Sequence, residues 1–159
     1  MVISNDPANR ESDVAVDITL LGAPKMTIEG ASIDYDTIFV GSELTETIGV
    51  LNDSTEVLEV TASTTLSDIF VVENPDLSIV PGEGMDLYIS FMPASAVTYN
   101  DTLVITGNDP SNSTVKVPLV GTGKVAPVIG IDPMVISDTL FPDSVAVHTV
   151  TFSNSIDGE

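Results

Sequence analysis

The 159-residue chain has no cysteine and no tryptophan, a single histidine, and only 4 Lys and Arg against 24 Asp and Glu. Without cysteine there is no disulfide, no thiolate metal site and no cysteine nucleophile. Without tryptophan, and with aromatics at 5%, a carbohydrate site built on stacked rings is poorly supplied. The formal net charge of -20 repels phosphate backbones and anionic lipid, which argues against nucleic acid and membrane surfaces as partners. Long apolar runs are also missing: the longest, around Ile69–Val72 and Val125–Ile131, fall far short of the ~20 residues of a membrane helix, so no membrane insertion is expected. Met1-Val2-Ile3-Ser4 has neither a basic n-region nor an apolar h-region, so no signal peptide is expected here.

What is present is β-forming. The 43% hydrophobic content rests on Val, Ile and Leu, with abundant Thr and Ser, punctuated by Gly and Pro. No segment places apolar residues at i, i+3, i+4 and i+7, and the chain reads as all-β. The clearest stretch runs from Leu77 to Gly123. Met85, Leu87, Ile89 and Phe91 alternate with Asp86, Tyr88, Ser90 and Met92, the period of a strand with one buried face. Pro81-Gly82-Glu83-Gly84 turns the chain before it; since a strand follows, this is no phosphate loop. Leu103 and Ile105 begin a second alternating strand, Asn108-Asp109-Pro110 turns it, and Val115, Val117 and Leu119 return as a third. Strands are expected near 25–31, 37–40, 45–51, 56–62, 69–73, 85–92, 102–107 and 114–120, the count of an immunoglobulin-like sandwich.

The sequence also repeats. Asn5-Asp6-Pro7 returns as Asn108-Asp109-Pro110 and Ala23-Pro24 as Ala126-Pro127, both displaced by 103. Between them, Val16-x-Ile18-x-Leu20 matches Val115-x-Val117-x-Leu119 if the first copy has a hairpin four residues longer and a linker four shorter. Asp36-Thr37-Ile38-Phe39 returns as Asp138-Thr139-Leu140-Phe141, displaced by 102, and Ser42, Thr47 and Asn52 return as Ser144, Thr149 and Asn154. The expected organisation is therefore immunoglobulin-like units of about 100 residues in tandem, one complete and two partial. Residues 1–24 carry the last strands of one unit, 25–124 a whole unit, and 125–159 the first strands of a third. The partial units leave apolar rows as candidate inter-repeat or inter-subunit contacts: Val14, Val16, Ile18 and Leu20 at one end, Phe141, Val150 and Phe152 at the other.

The order Phe70-Val71, Leu77-x-Ile79-x-Pro81-Gly82, Ile89-x-Phe91-x-Pro93, Tyr99-x-x-Thr102-Leu103-x-Ile105, Asn108-Asp109-Pro110 and Val117-x-Leu119-x-Gly121-x-Gly123 resembles the Hydin-type immunoglobulin-like domain. That group is called ASH in ciliary and centrosomal proteins and choice-of-anchor D in bacterial surface proteins, and is related to major sperm protein and pilus-chaperone sandwiches. The resemblance implies a structural, adhesive or scaffolding module, often in tandem, without shared catalytic residues. Asp34-Tyr35-Asp36 departs from it, standing where members carry an aromatic followed by Gly.

The residues offer little chemistry. His148 lies on an expected strand without a nucleophile beside it, and no pair of acids has the spacing of an acid and a base, so an enzyme is not expected. Oxygen ligands for calcium could come from Asn108, Asp109 and Asn112, or from Asn100 and Asp101, but no calcium-loop pattern is present and turn chemistry explains the same residues. No cofactor is expected otherwise. Three glycosylation sequons begin at Asn52, Asn100 and Asn112, all on expected turns. Tyr99 is the candidate for a corner tyrosine, its hydroxyl donated to nearby backbone. The function expected first is a structural tandem-repeat module of an extracellular or cell-surface stalk, adhesin or fibre, its units meeting head to tail. Behind it stand a self-polymerising filament subunit joined by strand exchange, a protein- or carbohydrate-binding module, and an intracellular ciliary-type scaffold.

Overall fold

The computed structural model describes residues 22–155 and, ahead of them, 2–3, 7–8, 11–12, 15 and 17. The described elements are all strands: β1 (Val2–Ile3), β2 (Glu11–Ser12), β3 (Met26–Glu29), β4 (Ile33–Phe39), β5 (Leu44–Asn52), β6 (Leu58–Ser63), β7 (Phe70–Val72), β8 (Asp76–Ile79), β9 (Gly84–Phe91), β10 (Thr98–Gly107), β11 (Thr114–Lys124), β12 (Val128–Asp132) and β13 (Thr151–Ser155). β3 to β11 form the complete sandwich. One sheet has the order β4-β11-β10-β6-β8 and the other β3-β5-β9-β7. β1 pairs β2, and β12 pairs β13, each as a two-stranded antiparallel sheet.

Period-two alternation decides which side chains go inside. Leu87, Ile89 and Phe91 on β9, Leu103 and Ile105 on β10, and Val117 and Leu119 on β11 are all buried, as are Leu58, Val60 and Ala62 on β6. Each large one contributes about 1.5–3 kcal/mol by leaving water. At the centre, Phe70 stacks on Phe91 with ring centroids 4.9 Å apart, and Tyr35 lies 5.3 Å from Phe91 and 5.7 Å from Phe70. Gly121 faces this cluster: a Cβ there would sit 2.5 Å from the Phe91 ring.

Four expectations need correction. The strand expected near 37–40 starts earlier, at Ile33: β3 pairs with β5 in one sheet, and after residues 30–32 the chain joins the other sheet as β4, parallel to β11. This pairing also carries β11 on to Lys124 rather than 120, with Lys124 opposite Phe39. β8, unanticipated as a strand, is held at the sheet edge by β6, with Leu58 opposite Ile79. Finally, the backbone-anchoring tyrosine is Tyr35, whose hydroxyl donates to the Ile89 carbonyl at 2.7 Å; Tyr99 packs edge-on against Phe91 at 5.9 Å. The departure at Asp34-Tyr35-Asp36 is explained here as well. Between Val120 opposite Asp34 and Thr122 opposite Thr37 the register shifts, and Asp36 takes the left-handed conformation, φ 53°. A β-bulge with a residue at positive φ is a place glycine fits without strain; here Asp36 occupies it, its N–H bonded to the Asp34 carboxylate at 2.9 Å.

The sandwich has two poles. The chain enters at the pole formed by loops 53–57, 80–83 and 108–113, and leaves at the pole formed by 40–43, 64–69, 92–97 and Lys124.

Candidate functional site

At the entry pole the turn Asn108-Asp109-Pro110 does a structural job. The Asp109 carboxylate, 2% exposed, accepts the N–H of Met26 at 2.9 Å, of Ser111 at 2.7 Å and of Asn112 at 3.2 Å. These bonds, that from Met26 first, hold its pKa below the usual carboxylate value. Asn108 accepts the Glu59 N–H at 3.0 Å and donates to the Val57 carbonyl at 3.2 Å. The motif therefore ties the incoming strand to the β10–β11 loop and that loop to β6. Among the described residues, no group of three or more His, Cys, Asp or Glu side chains could hold a metal ion.

Asn52 sits beside this pole and is fully buried. Its amide donates to the Glu56 carbonyl at 2.7 Å and the Ile79 carbonyl at 2.9 Å. An amide nitrogen with both hydrogens engaged in the interior is not offered to a glycosylating enzyme by the folded chain, which corrects the expectation for Asn52. Asn100 is exposed but lies on β10 rather than in a turn, and Asn112 is exposed in the β10–β11 loop.

The last described segment repeats the start of the sandwich in geometry as well as in sequence. Met26 pairs with Asn52, Thr27 with Leu51, Ile28 with Val50 and Glu29 with Gly49. Likewise Ile129 pairs with Asn154, Gly130 with Ser153, Ile131 with Phe152 and Asp132 with Thr151. The first strand moves by 103 and the second by 102, the two displacements at which Ala-Pro and Asp-Thr-x-Phe recur. The turn between them recurs too. Ser42 N–H bonds to the Phe39 carbonyl at 3.0 Å with Gly41 at φ 80°, and Ser144 N–H bonds to the Phe141 carbonyl at 3.1 Å with Asp143 at φ 65°.

Burial is where the copies differ. Met26 and Val50 are 4% and 1% exposed, whereas their counterparts Ile129 and Phe152 are 69% and 68% exposed. Phe141 is 84% exposed, and Val150 is partly buried. The apolar row expected from Phe141, Val150 and Phe152 therefore belongs to a two-stranded sheet with no second sheet over it among the described residues. Val14, Val16, Ile18 and Leu20 lie outside the described residues. His148 is on this segment, its Nε2 3.0 Å from the Asp138 carboxylate at an exposed position.

The two sheets, their order and the parallel β4–β11 pairing define an immunoglobulin-like sandwich. The model of the ASH family (abnormal spindle-like microcephaly-associated, ASPM-SPD-2-Hydin) matches residues 24–115, more than half of the chain, and the chain belongs to that family. No curated protein matches it in sequence. Among solved structures it is similar to the ASH/PapD-like domain 7 of human CEP192, at 15% identity and TM-score 0.58, covering 72% of this chain and 96% of that one. It is also similar to a protein of unknown function from Porphyromonas gingivalis W83, at 16% identity and TM-score 0.53, covering 76% of this chain and 52% of that one. These likenesses, well below a quarter identical, show the fold.

Proposed function

We propose that this chain is a structural tandem-repeat module, one complete ASH sandwich between parts of two like units, working by head-to-tail reach in a cell-surface or extracellular stalk, adhesin or fibre. The observation that carries this reading is the second copy of the β3–β5 pairing in β12–β13, same register and same turn, with its inner face left uncovered by the described residues. A face whose counterpart is sealed in the complete unit is built to be sealed by the remaining strands of its own unit. The acidic, Lys-poor, Thr-rich surface supports an exterior location, and neither an enzymatic role nor a cofactor enters the proposal. The partners are neighbouring units of the same kind.

A second reading is favoured by the same exposed row: a filament subunit in which identical copies supply the missing strands to one another by β-augmentation. Light scattering after size exclusion, with negative-stain microscopy, separates the two. The tandem reading expects discrete particles of fixed mass from this 159-residue chain; concentration-dependent polymers of regular width would replace it with the second. Protease shaving of intact source cells tests the location, and protection of the protein until the cells are lysed would refute an exposed one.

A further inference from the structure

We infer that β8, at one edge of the five-stranded sheet, is an interaction surface for an extended cationic segment of another protein, which adds to the sheet as a further strand. This goes beyond the stalk reading, because it concerns the flank of the sandwich, which contacts at the poles do not use. The complete sandwich has four edge strands, and three are blunted. On β3 the Met26 N–H is taken by the Asp109 carboxylate. β4 carries the bulge at Asp36, φ 53°, a device that turns an edge away from new partners. On β7 the Phe70 N–H bonds to the Leu66 carbonyl at 2.8 Å, and the Phe70 carbonyl accepts the Thr64 hydroxyl at 2.6 Å. β8 has no such cover. The Pro75 carbonyl accepts the Ala62 N–H at 2.7 Å, and Leu77 lies opposite Val60, so Asp76 and Ser78 turn their N–H and C=O groups away from β6. Among the described residues these backbone groups have no hydrogen-bond partner.

Charge decides what pairs there. Asp76 and Ser78 are exposed on β8, opposite Thr61 and Glu59 of β6. With Thr106 and Asn108 they line an open groove of about 480 Å³. The Asp76 carboxylate accepts the Thr61 hydroxyl at 3.1 Å, and the Glu59 carboxylate accepts the Ser78 hydroxyl at 2.8 Å. Neither acid has a cation, since the ion pairs among the described residues are Lys25–Asp53 and His148–Asp138. A second copy of β8 would bring like charges to this edge, which is unfavourable on a chain already at net charge -20. A strand with Lys or Arg at alternate positions meets the acids instead, because side chains directly opposite on neighbouring strands stand about 5 Å apart. Its intervening side chains fall on the side of Leu77 and Ile79, both buried, where apolar residues fit. The acids that oppose self-pairing thus select the partner.

The probe is a capped peptide, Thr-Lys-Val-Lys-Val-Lys-Thr, added to the isotope-labelled full chain. The same composition in the order Lys-Lys-Lys-Val-Val-Thr-Thr controls for bulk attraction to an acidic surface. The alternating peptide is expected to bind at least about tenfold more tightly than the control and to slow hydrogen exchange at the Asp76 and Ser78 amides. Ser78→Pro removes an N–H that β6 does not use, so the existing pairing stands, and it should weaken binding by about tenfold or more. Should that variant fail to fold, Asp76→Lys is read instead, with the same loss expected. Equal binding of the two peptides, no binding, or unchanged exchange at Asp76 and Ser78 overturns the inference. None of these outcomes touches the tandem reading, which fails on particle mass and polymer formation instead.

Discussion

The Tyr35 hydroxyl donates to the Ile89 carbonyl at 2.7 Å, a bond that runs from β4 in one sheet to β9 in the other and fastens the sandwich at the rings of Phe70 and Phe91. Tyr35→Phe keeps the ring packing and removes only this bond, so it is expected to lower stability by about 1 kcal/mol, whereas Tyr35→Ala opens the aromatic centre and lowers it by roughly 3–5 kcal/mol. Urea denaturation of the three chains checks the ratio. Burial, and then the negative charge of Glu46, raise the Tyr35 pKa far above its usual value. The unfolded chain releases this proton near pH ~10 while the folded chain keeps it. Stability linked to Tyr35 is therefore fully present below that pH and declines as pH rises beyond it. In Tyr35→Phe this part of the alkaline decline should be missing.

Asp36 holds a left-handed conformation, φ 53°, at the bulge where β4 shifts register against β11. Glycine relieves the clash of Cβ with the following carbonyl, so Asp36→Gly is expected to stabilise by about 0.5–1 kcal/mol, and Asp36→Val to destabilise by at least as much. Calorimetry showing Asp36→Gly less stable than the parent would mean that the Asp36 side chain, rather than the backbone, governs this bend.

Asp109 makes the fold acid-sensitive in a defined direction. Its carboxylate is held ionised by the N–H groups of Met26, Ser111 and Asn112, and its pKa is lowered. The stability it contributes is therefore present above the unfolded carboxylate value of about 3.9 and is lost as pH falls through the lower folded value. Asp109→Asn is expected to have a lower thermal midpoint than the parent at pH 7 and a smaller fall between there and strong acid. Equal midpoints at pH 7 would show that the Met26 N–H finds another acceptor.

Asn52 and Asn112 open sequons of the same form, but only Asn112 is exposed. Expression in a host that glycosylates secreted proteins should leave Asn52 unmodified, with any glycan carried by Asn100 or Asn112. Peptide mass spectrometry reads this directly, and a glycan on Asn52 in folded, soluble protein would contradict the burial of its amide. Replacing Asn52 by Ala strands the Glu56 and Ile79 carbonyls and is expected to destabilise by about 1–3 kcal/mol.

These positions show what a linear reading can reach. Leu87, Ile89 and Phe91, or Val117 and Leu119, announce their burial because strand geometry is local and has period two. Register and turn likewise follow from short patterns, and the displacements of 103 and 102 read from the sequence are those that relate the β12–β13 pairing to the β3–β5 pairing. What escaped depends on distant chain. The four residues of β8 become a strand through β6, and the extension of β11 to Lys124 is set by β4. Tyr35 rather than Tyr99 anchors backbone because β9 passes over it. Whether Asn52 is a turn residue open to solvent or a buried clamp is decided by Ile79, 27 positions away.

The two copies permit one experiment in which equivalent substitutions have opposite outcomes. Val50 and Phe152 occupy the same place in the repeat, paired with Ile28 and Ile131 respectively, but one is 1% and the other 68% exposed. A carboxylate at Val50 lies between the sheets without a partner, so Val50→Asp is expected to destabilise by more than about 4 kcal/mol, beyond the range of most single substitutions. Phe152→Asp meets water and should leave the sandwich within about 0.5 kcal/mol of the parent, while raising solubility by breaking the apolar row. Urea midpoints and light scattering measure both. If Phe152→Asp instead lowers the stability of the sandwich by several kcal/mol, β12–β13 is already sealed against another surface in this chain, and the idea of a unit awaiting its remaining strands falls with it.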